Sequence, residues 1–379
     1  MTVAFVNGRV VLPGGLLEGV CVTVEGRDIA GIGDEPPRGA RTIDLGGAFL
    51  LPGFVDVQVN GGGGVLFNDT PTIDAVAAIG AAHRRFGTTG FLPTLISDDL
   101  ATVAAAIAAV GEAIASGVPG VLGIHIEGPF LDPRRHGIHR TDKLRKLEDG
   151  DIALLTSLTR GCTLVTLAPE AATPAQIAQL VAAGVIVALG HSAADYETAL
   201  AAFAAGASGV THLFNAMSGF GHREPGLAGA ALEDDAIYAG VIADGHHLHP
   251  AALRVALKAK GPDRIMLVTD AMPSVGSQDF SFELQGRSVR LERGALTDAA
   301  GTLAGSNLTM AAALRNVMAQ TGAGIETASH MASATPAAFL GIADRLGTIA
   351  AGMQADLVIM DEAGSVTATW IAGEEQRHC

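Results

Sequence analysis

Four apolar, strand-like runs in this chain each end on a side chain that can bind a metal ion or transfer a proton. The runs are GVLGIHIEGP, VIVALGHS, SGVTHLFNAM and RIMLVTDAM, and their endings carry Glu127, His191, His212 and Asp270. Ala-rich stretches of helical period, such as YETALAAFAAG, alternate with runs of this kind. Buried parallel strands form continuous apolar runs, and helices connect them into βαβ units. We therefore predict an α/β fold, a TIM-like (β/α)8 barrel, with the four side chains at the carboxyl ends of its strands, where barrel enzymes carry their chemistry.

The two ends of the chain have a different pattern. Residues 1–50 form short strand-like runs punctuated by Gly and Pro, and residues 347–379 behave alike. Each end is too short to bury a core alone, so we predict that they pair into one small β-sandwich domain. The catalytic barrel is then expected over 51–346, and the alternation in FSFELQGRSVRLERGALTD predicts a β-hairpin inserted near 280–300.

The composition excludes several classes of partner. The formal charge is −15, from 24 basic and 39 acidic side chains, which argues against binding to nucleic acid or an anionic membrane. No uninterrupted apolar stretch reaches the roughly 18 residues of a membrane span, and we expect no signal peptide. The three cysteines are far apart and predict no disulfide framework. We expect a cytoplasmic protein whose partner is a small molecule.

The strand endings predict a metal site. One carboxylate and two imidazoles, from Glu127, His191 and His212, suit Zn²⁺, with Fe²⁺ as the alternative, and leave a position open for water. Asp270 is either a helix N-cap or a general acid and base beside the site. His139, in the loop RRHGIHRTD, is a candidate electrophile that polarises a carbonyl.

A cationic group near the same end of the barrel predicts a phosphate site. Arg223 and the cluster DGHHLHP supply it, and guanidinium groups bind phosphate in a bidentate manner. His246, His247 and His249 also allow a metal interpretation, but we favour phosphate for His247 together with Arg223. The Gly-rich segment NGGGG at 60–64 has no P-loop or dinucleotide-binding spacing.

The order of these motifs resembles a known family. PGFVDVQVNGGGG, HIEGPFL, LGHS, THLFNAM, the REPG turn, ADGHH, VTDAM and LAGS occur as in N-acetylglucosamine-6-phosphate deacetylases of the amidohydrolase superfamily. The resemblance covers nearly the whole chain. It implies metal-dependent hydrolysis of the acetamide of N-acetylglucosamine 6-phosphate to acetate and glucosamine 6-phosphate.

The resemblance also implies roles for individual residues. Glu127, His191 and His212 would hold the metal, Asp270 would pass a proton from water to the leaving amine, and His139 would stabilise the oxyanion. A homodimer is implied, in which His247 reaches the phosphate in the neighbouring subunit. The substrate contacts are expected at Gln58, Asn60, Ile138, Asn215, Ala216, Arg223, His246, His247, Leu303, Ala304 and Gly305.

One departure from the wider superfamily concerns the number of metal ions. Many amidohydrolases carry His-x-His after the first barrel strand and a carboxylated lysine, which together hold two ions. Here Gln58 and Asn60 occupy the His-x-His positions, and no lysine lies near a strand ending. Amide side chains are poor ligands for Zn²⁺. We therefore predict one divalent ion per subunit.

Three alternatives stay open from the sequence. One is a deacetylase of another acetamido sugar phosphate. Another is a cyclic-amide amidohydrolase, for which His-x-His and the lysine would be expected. The third is a non-enzymatic sugar-phosphate sensor, which would have no need of a general base such as Asp270.

Overall fold

The centre of the protein is a barrel of eight parallel strands. The computed structural model describes residues 2–376. In chain order the barrel strands are Phe54–Val59, Thr88–Ile96, Gly123–Glu127, Cys162–Leu167, Ile186–Leu189, Gly209–Val210, Tyr238–Val241 and Ile265–Leu267. Each pairs with the next along the chain. The first and last are joined where Asp270 N–H donates to the Gln58 carbonyl at 2.9 Å. The predicted barrel is confirmed.

The helices cover the outside of the barrel. Because both faces of its sheet are covered, every residue of the strands Phe54–Val59 and Gly123–Glu127 is buried. Thr72, Thr173 and Thr309 begin three of the helices by accepting a hydrogen bond from the first turn. The helices are Ile73–Arg84, Leu100–Ala115, Asp149–Leu155, Pro174–Ala182, Tyr196–Ala204, Gly226–Glu233, Pro250–Lys260, Met310–Thr321, Ile325–Ala332 and Ala334–Phe339, with short 3-10 turns at Pro133–Arg135 and Thr141–Lys143.

Two further sheets lie outside the barrel, and together they contain strands from both ends of the chain. One sheet contains Thr2–Val6, Cys21–Glu25, Asp28–Gly33 and Arg41–Asp44, and the other contains Arg9–Leu12, Gly15–Glu18, Phe49–Pro52, Leu357–Met360, Val366–Ile371 and Glu374–Gln376. The two ends meet where Leu357–Met360 pairs antiparallel with Phe49–Pro52. Phe5 and Trp370, from opposite ends, pack edge to face at 5.1 Å in a shared core. The expected sandwich of both termini is present, and residues 377–379 of the predicted unit 347–379 lie outside the described residues.

A small antiparallel sheet is inserted after the last barrel strand. It consists of Ser281–Leu284, Arg287–Glu292 and Ala295–Asp298, so a third strand joins the two that a hairpin would have. Its inner side chains Leu284, Val289 and Leu296 are buried against Ile96 and Ile138 of the barrel. The inserted sheet therefore packs directly on the loops that follow the strands. The strands Gly61–Gly62 and Val65–Leu66 form a further short hairpin in this region.

Across residues 2–376, no helix combines the length and apolarity needed to cross a bilayer.

Candidate active site

Three of the four predicted strand endings converge on one point. Glu127 Oε1 lies 3.1 Å from His212 Nε2 and 3.3 Å from His191 Nε2, and the two imidazole nitrogens are 3.1 Å apart. All three side chains are almost fully buried. Zn²⁺ ligands at roughly 2.0–2.1 Å in a tetrahedral arrangement are separated by about 3.3 Å. The three atoms are thus spaced as ligands of one small cation.

The electrostatics of this group also favour a cation. Burial would raise the pKa of Glu127, but hydrogen bonds and charge from His191 and His212 hold it well below its usual range. Burial would lower the pKa of His212, yet Glu127 raises it. Positive charge is therefore stabilised between these side chains. His191 Nδ1 donates to the Arg135 carbonyl at 2.9 Å, which leaves the Nε2 lone pair of His191 free to coordinate.

Backbone strain is concentrated at the strand endings. His191, His212 and Asp270 have positive φ values of 48°, 34° and 52°. A non-glycine residue in such a region costs about 1 kcal/mol or more, and strain of this kind clusters at functional sites. The strained backbone therefore sets the direction of these three side chains at the carboxyl end of the barrel.

Asp270 lies beside the three converging side chains. Its Oδ1 accepts hydrogen bonds from Asn60 Nδ2 at 2.6 Å and from Gln58 Nε2 at 3.2 Å. Burial, together with the negative charge of Glu127, raises the pKa of Asp270 to about 6. The helix N-cap interpretation is wrong, because the next described helix begins only at Met310. Asp270 is thus a buried carboxyl group whose pKa lies in the range that suits a general base at neutral pH.

Gln58 joins the two carboxylates. Its Nε2 lies 3.2 Å from both oxygens of Glu127 and 3.2 Å from Asp270 Oδ1. Gln58 and Asn60, the positions at which we looked for His-x-His, therefore direct amide N–H groups toward the two carboxylates. An N–H group cannot ligate a metal ion, so this strand ending holds the carboxylates instead.

His139 is a neutral imidazole at the edge of the cluster. Burial first, then the positive charge of His191, holds the pKa of His139 well below its usual range. Its Nδ1 accepts the backbone N–H of Ser97 at 3.3 Å and lies 2.8 Å from Ser97 Oγ. Because Nδ1 accepts from an amide, the ring proton lies on Nε2. Ligand atoms of Glu127, His139 and His191 lie within 4.8 Å of one another. Because its Nε2 is protonated, His139 is a hydrogen-bond donor and not a metal ligand. His212 Nε2 lies closer to Glu127 than His139 does and has the position expected of the third ligand.

These side chains open into a cavity of about 570 Å³. Eleven predicted residues line it, namely Glu127, Ile138, His139, His191, His212, Asn215, Ala216, His247, Asp270, Leu303 and Gly305. Ala304 is fully buried in the apolar cluster under the inserted sheet. Arg223 and His246 are exposed and lie outside the described lining.

His247 lines this cavity. Its Nδ1 bonds to Asp244 Oδ2 at 2.7 Å, and the same carboxylate accepts the backbone N–H groups of His246 and His247 at 2.8 Å. Burial would raise the pKa of Asp244, but His247 lowers it. The imidazole of His247 is therefore held rigidly with Nε2 free for a ligand.

Some residues of the site were missed by sequence reasoning. Arg134, Arg135 and His136 line the cavity, and two adjacent arginines between Glu127 and His139 could have indicated this. Arg134 is paired with Asp132 at 2.7 Å and with Glu170 at 3.2 Å. Ser97, which contacts His139, ends the apolar run TGFLPTLIS, but a hydroxyl group there has no distinctive signal.

A comparison with family models decides the family. Residues 49–375 match the model described as the Amidohydrolase family. The chain belongs to the amidohydrolase family. The amidohydrolase resemblance predicted from the motifs is thereby confirmed.

Curated relatives and solved structures agree with that assignment. The chain is 48% identical to an N-acetylgalactosamine-6-phosphate deacetylase of Shewanella sp. (strain ANA-3) over 325 residues, 86% of this chain and 82% of the relative. It is 38% identical to the human N-acetylglucosamine-6-phosphate deacetylase over 348 residues, 87% of this chain and 84% of the relative. The crystal structure of the N-acetylglucosamine-6-phosphate deacetylase from Pasteurella multocida has a TM-score of 0.96 at 34% identity and covers 99% of this chain and 100% of that one. The enzyme from Mycobacterium smegmatis has a TM-score of 0.91 at 34% identity, with full coverage of both chains.

Proposed function

We propose that this amidohydrolase removes the acetyl group of N-acetylglucosamine 6-phosphate to give acetate and glucosamine 6-phosphate. The observation that carries the proposal is the convergence of Glu127, His191 and His212 within 3.3 Å, with Asp270 beside them at the floor of one cavity. A pure binding protein has no need of a strained, buried carboxylate next to such a cluster. Curated relatives that act on acetamido sugar phosphates give the substrate class.

Glu127, His191 and His212 would hold one divalent ion, with Zn²⁺ expected and Fe²⁺ as the alternative. Such an ion supplies Lewis acidity, because it polarises a carbonyl and lowers the pKa of water toward about 7. One ion per subunit is supported by Gln58 and Asn60, whose amide nitrogens face the carboxylates and whose amide oxygens are poor ligands for Zn²⁺.

Asp270 moves the protons in this mechanism. It accepts a proton from the attacking water and transfers it to the amide nitrogen, which is a poor leaving group unless it is protonated. The two amide donors, Asn60 and Gln58, fix the carboxylate with one oxygen engaged. His139 donates a hydrogen bond from its Nε2–H to the acetyl oxygen as negative charge develops there, a contact that strengthens in the transition state.

The phosphate supplies binding energy remote from the reacting bond. We assign His247 and Arg223 to it, and Asn215, Ala216, Leu303 and Gly305 to the sugar in the cavity. Arg223 lies outside the described lining of this cavity, so its assignment rests on the affinity of guanidinium groups for phosphate and on the motif resemblance. His247 lines its own cavity, so its proposed reach into the neighbouring site requires the two cavities to adjoin. A cytoplasmic location is supported by Cys21 and Cys162, which form no disulfide within residues 2–376.

A second substrate is favoured by one observation. The relative with 48% identity acts on N-acetylgalactosamine 6-phosphate, which differs only at C4. The deciding experiment is an acetate-release assay with both epimers, each with and without the 6-phosphate. We expect turnover of the phosphorylated sugars, and the ratio between the epimers identifies the physiological one. Absence of acetate from all four, with metal-loaded protein, would refute the proposed function.

A further inference from the structure

The turn of the inserted sheet contacts the barrel through one side chain. Gln285 Nε2 donates a 2.8 Å hydrogen bond to the backbone carbonyl of Ser97, a residue 188 positions earlier. Within the described residues this is the only hydrogen bond of the Gln285 side chain, since its Oε1 has no partner. The contact therefore joins an insertion with no strand in the barrel to the end of the barrel strand Thr88–Ile96.

Ser97 in turn holds His139. The Ser97 N–H donates to His139 Nδ1 at 3.3 Å, and Ser97 Oγ lies 2.8 Å from the same nitrogen. Donation to Nδ1 selects the tautomer with the proton on Nε2. The carbonyl and amide of one residue thus connect Gln285 to the imidazole that lines the cavity.

An apolar contact accompanies each polar residue of this chain of hydrogen bonds. Ile96, Ile138 and Leu284 immediately precede Ser97, His139 and Gln285 in the sequence, and all three belong to one buried cluster. Leu284 is 1% exposed, Ile96 is 2% exposed and Ile138 is 8% exposed. The same three segments are therefore held together by burial and by hydrogen bonds, which fixes their relative position.

The backbone at Gln285 is strained for its residue type. Gln285 and Gly286 have φ values of 48° and 82° in the two-residue turn between Ser281–Leu284 and Arg287–Glu292. Turns with two positive φ values favour Asn-Gly, so Asn would suit position 285 better than Gln. Gln has one methylene more than Asn, and this extra length lets the amide reach Ser97.

We propose that Gln285 is a positioning residue of the reaction, which holds Ser97 so that His139 keeps its Nε2–H directed into the cavity. The inserted sheet is then part of the catalytic apparatus, although none of its three strands contributes a lining residue among those described. This inference rests on the proposed role of His139 and goes beyond it, because it assigns the control of the tautomer to a side chain in the insertion.

The kinetic test compares Gln285→Asn and Gln285→Gly with Glu283→Ala. Both substitutions at 285 suit a positive φ, so the turn should fold at least as well, whereas neither side chain reaches Ser97. Glu283 is exposed on the same strand and serves as the matched control. We expect both 285 variants to lose about tenfold in kcat with KM changed less than about twofold, because a misplaced donor acts in the transition state. The control should match the wild type in both constants, and melting temperatures should be unchanged in all three.

A spectroscopic test does not depend on turnover. Long-range ¹H–¹⁵N spectra of protein labelled in its histidines report the tautomer, and His139→Gln identifies the His139 signals. We expect a single Nε2–H form in the wild type and in Glu283→Ala, and mixed or broadened signals in Gln285→Asn. Unchanged His139 signals in Gln285→Asn, or a loss confined to KM, would overturn the inference. If the wild type released no acetate, the proposed function would fail while these spectra still decided the positioning role.

Discussion

Asn60 Nδ2 donates a 2.6 Å hydrogen bond to Asp270 Oδ1, although the two residues are 210 positions apart. The contact uses a neutral amide at a position where the resemblance to amidohydrolases led us to look for a histidine. It fixes the carboxylate that we propose as the proton carrier, beside the three side chains that we propose as metal ligands. The residue that follows the first barrel strand therefore orients the carboxylate of Asp270.

The substitution Asp270→Asn should abolish turnover without emptying the metal site. The amide is nearly the same size but cannot accept the proton, so we expect kcat to fall by about 10³-fold or more. Metal content, measured by elemental analysis, should stay at the wild-type level because the three converging ligands are untouched. Near-wild-type kcat in this variant would rule out the general-base role.

The metal content of purified protein should be about one ion per chain. His191→Asn and His212→Asn should each reduce it strongly, because three protein ligands leave no redundancy. His330→Asn is the matched control, since this histidine is 39% exposed and pairs with Asp263 at 2.8 Å away from the converging ligands. Two ions per chain, or full metal content after loss of His212, would contradict the one-ion site.

The sequence predicted the ligand cluster because parallel strands end at a common edge. Glu127, His191 and His212 each follow an apolar run, and local pattern plus barrel topology was enough to bring them together. Gln285 and Ser97 were not predictable in this way. Their contact depends on how the inserted sheet folds back over the barrel, which is a long-range property that no local pattern encodes.

Arg223 shows a second limit of sequence reasoning. Its chemistry predicts a phosphate ligand, but its position relative to the cavity depends on how the loop HREPG folds. The structure shows it exposed and outside the described lining of its own cavity. No local pattern in the sequence distinguishes a phosphate-binding arginine from an ordinary surface arginine.

Replacement of Arg223 should separate phosphate recognition from chemistry. We expect Arg223→Ala to raise KM for the 6-phosphate sugar by about tenfold or more, since a charge-assisted bond to phosphate contributes roughly 1.5–3 kcal/mol. KM for the unphosphorylated sugar should hardly change. Arg38→Ala, an exposed arginine of the terminal domain, is the control and should alter neither. An equal effect of Arg223→Ala on both sugars would remove the phosphate assignment.

The free energy of unfolding should depend on pH through the ionisation of Asp56. This carboxyl is fully buried beside Thr269, and burial raises its pKa to about 7. Because the pKa of Asp56 is higher in the folded state, the protonated carboxyl contributes fully to stability below its pKa in the unfolded chain, about 3.9. This contribution is lost as the pH rises to about 7. Over that interval the loss amounts to a few kcal/mol, at about 1.4 kcal/mol per pKa unit.

Asp56→Asn isolates this effect. Its unfolding free energy, measured by denaturant titration between pH 4 and pH 7.5, should decline less with pH than that of the wild type. The difference between the two proteins should grow as pH rises, because the amide never has to ionise. Parallel curves over the whole interval would show that Asp56 does not titrate there.

Gly128 is required by the packing of Ser97. It follows Glu127 directly, has φ of 82°, and a Cβ at this position would lie 2.2 Å from Ser97 Oγ. Gly128→Ala should therefore destabilise the fold by about 2 kcal/mol or more, through backbone strain and overpacking together. Because Ser97 must move, kcat should fall with it. Gly150→Ala is the matched control, since nothing lies within 4 Å of the added methyl group and its helix Asp149–Leu155 favours alanine. Thermal unfolding of both variants measures the contrast, and equal melting temperatures would show that the barrel accommodates a side chain behind Glu127.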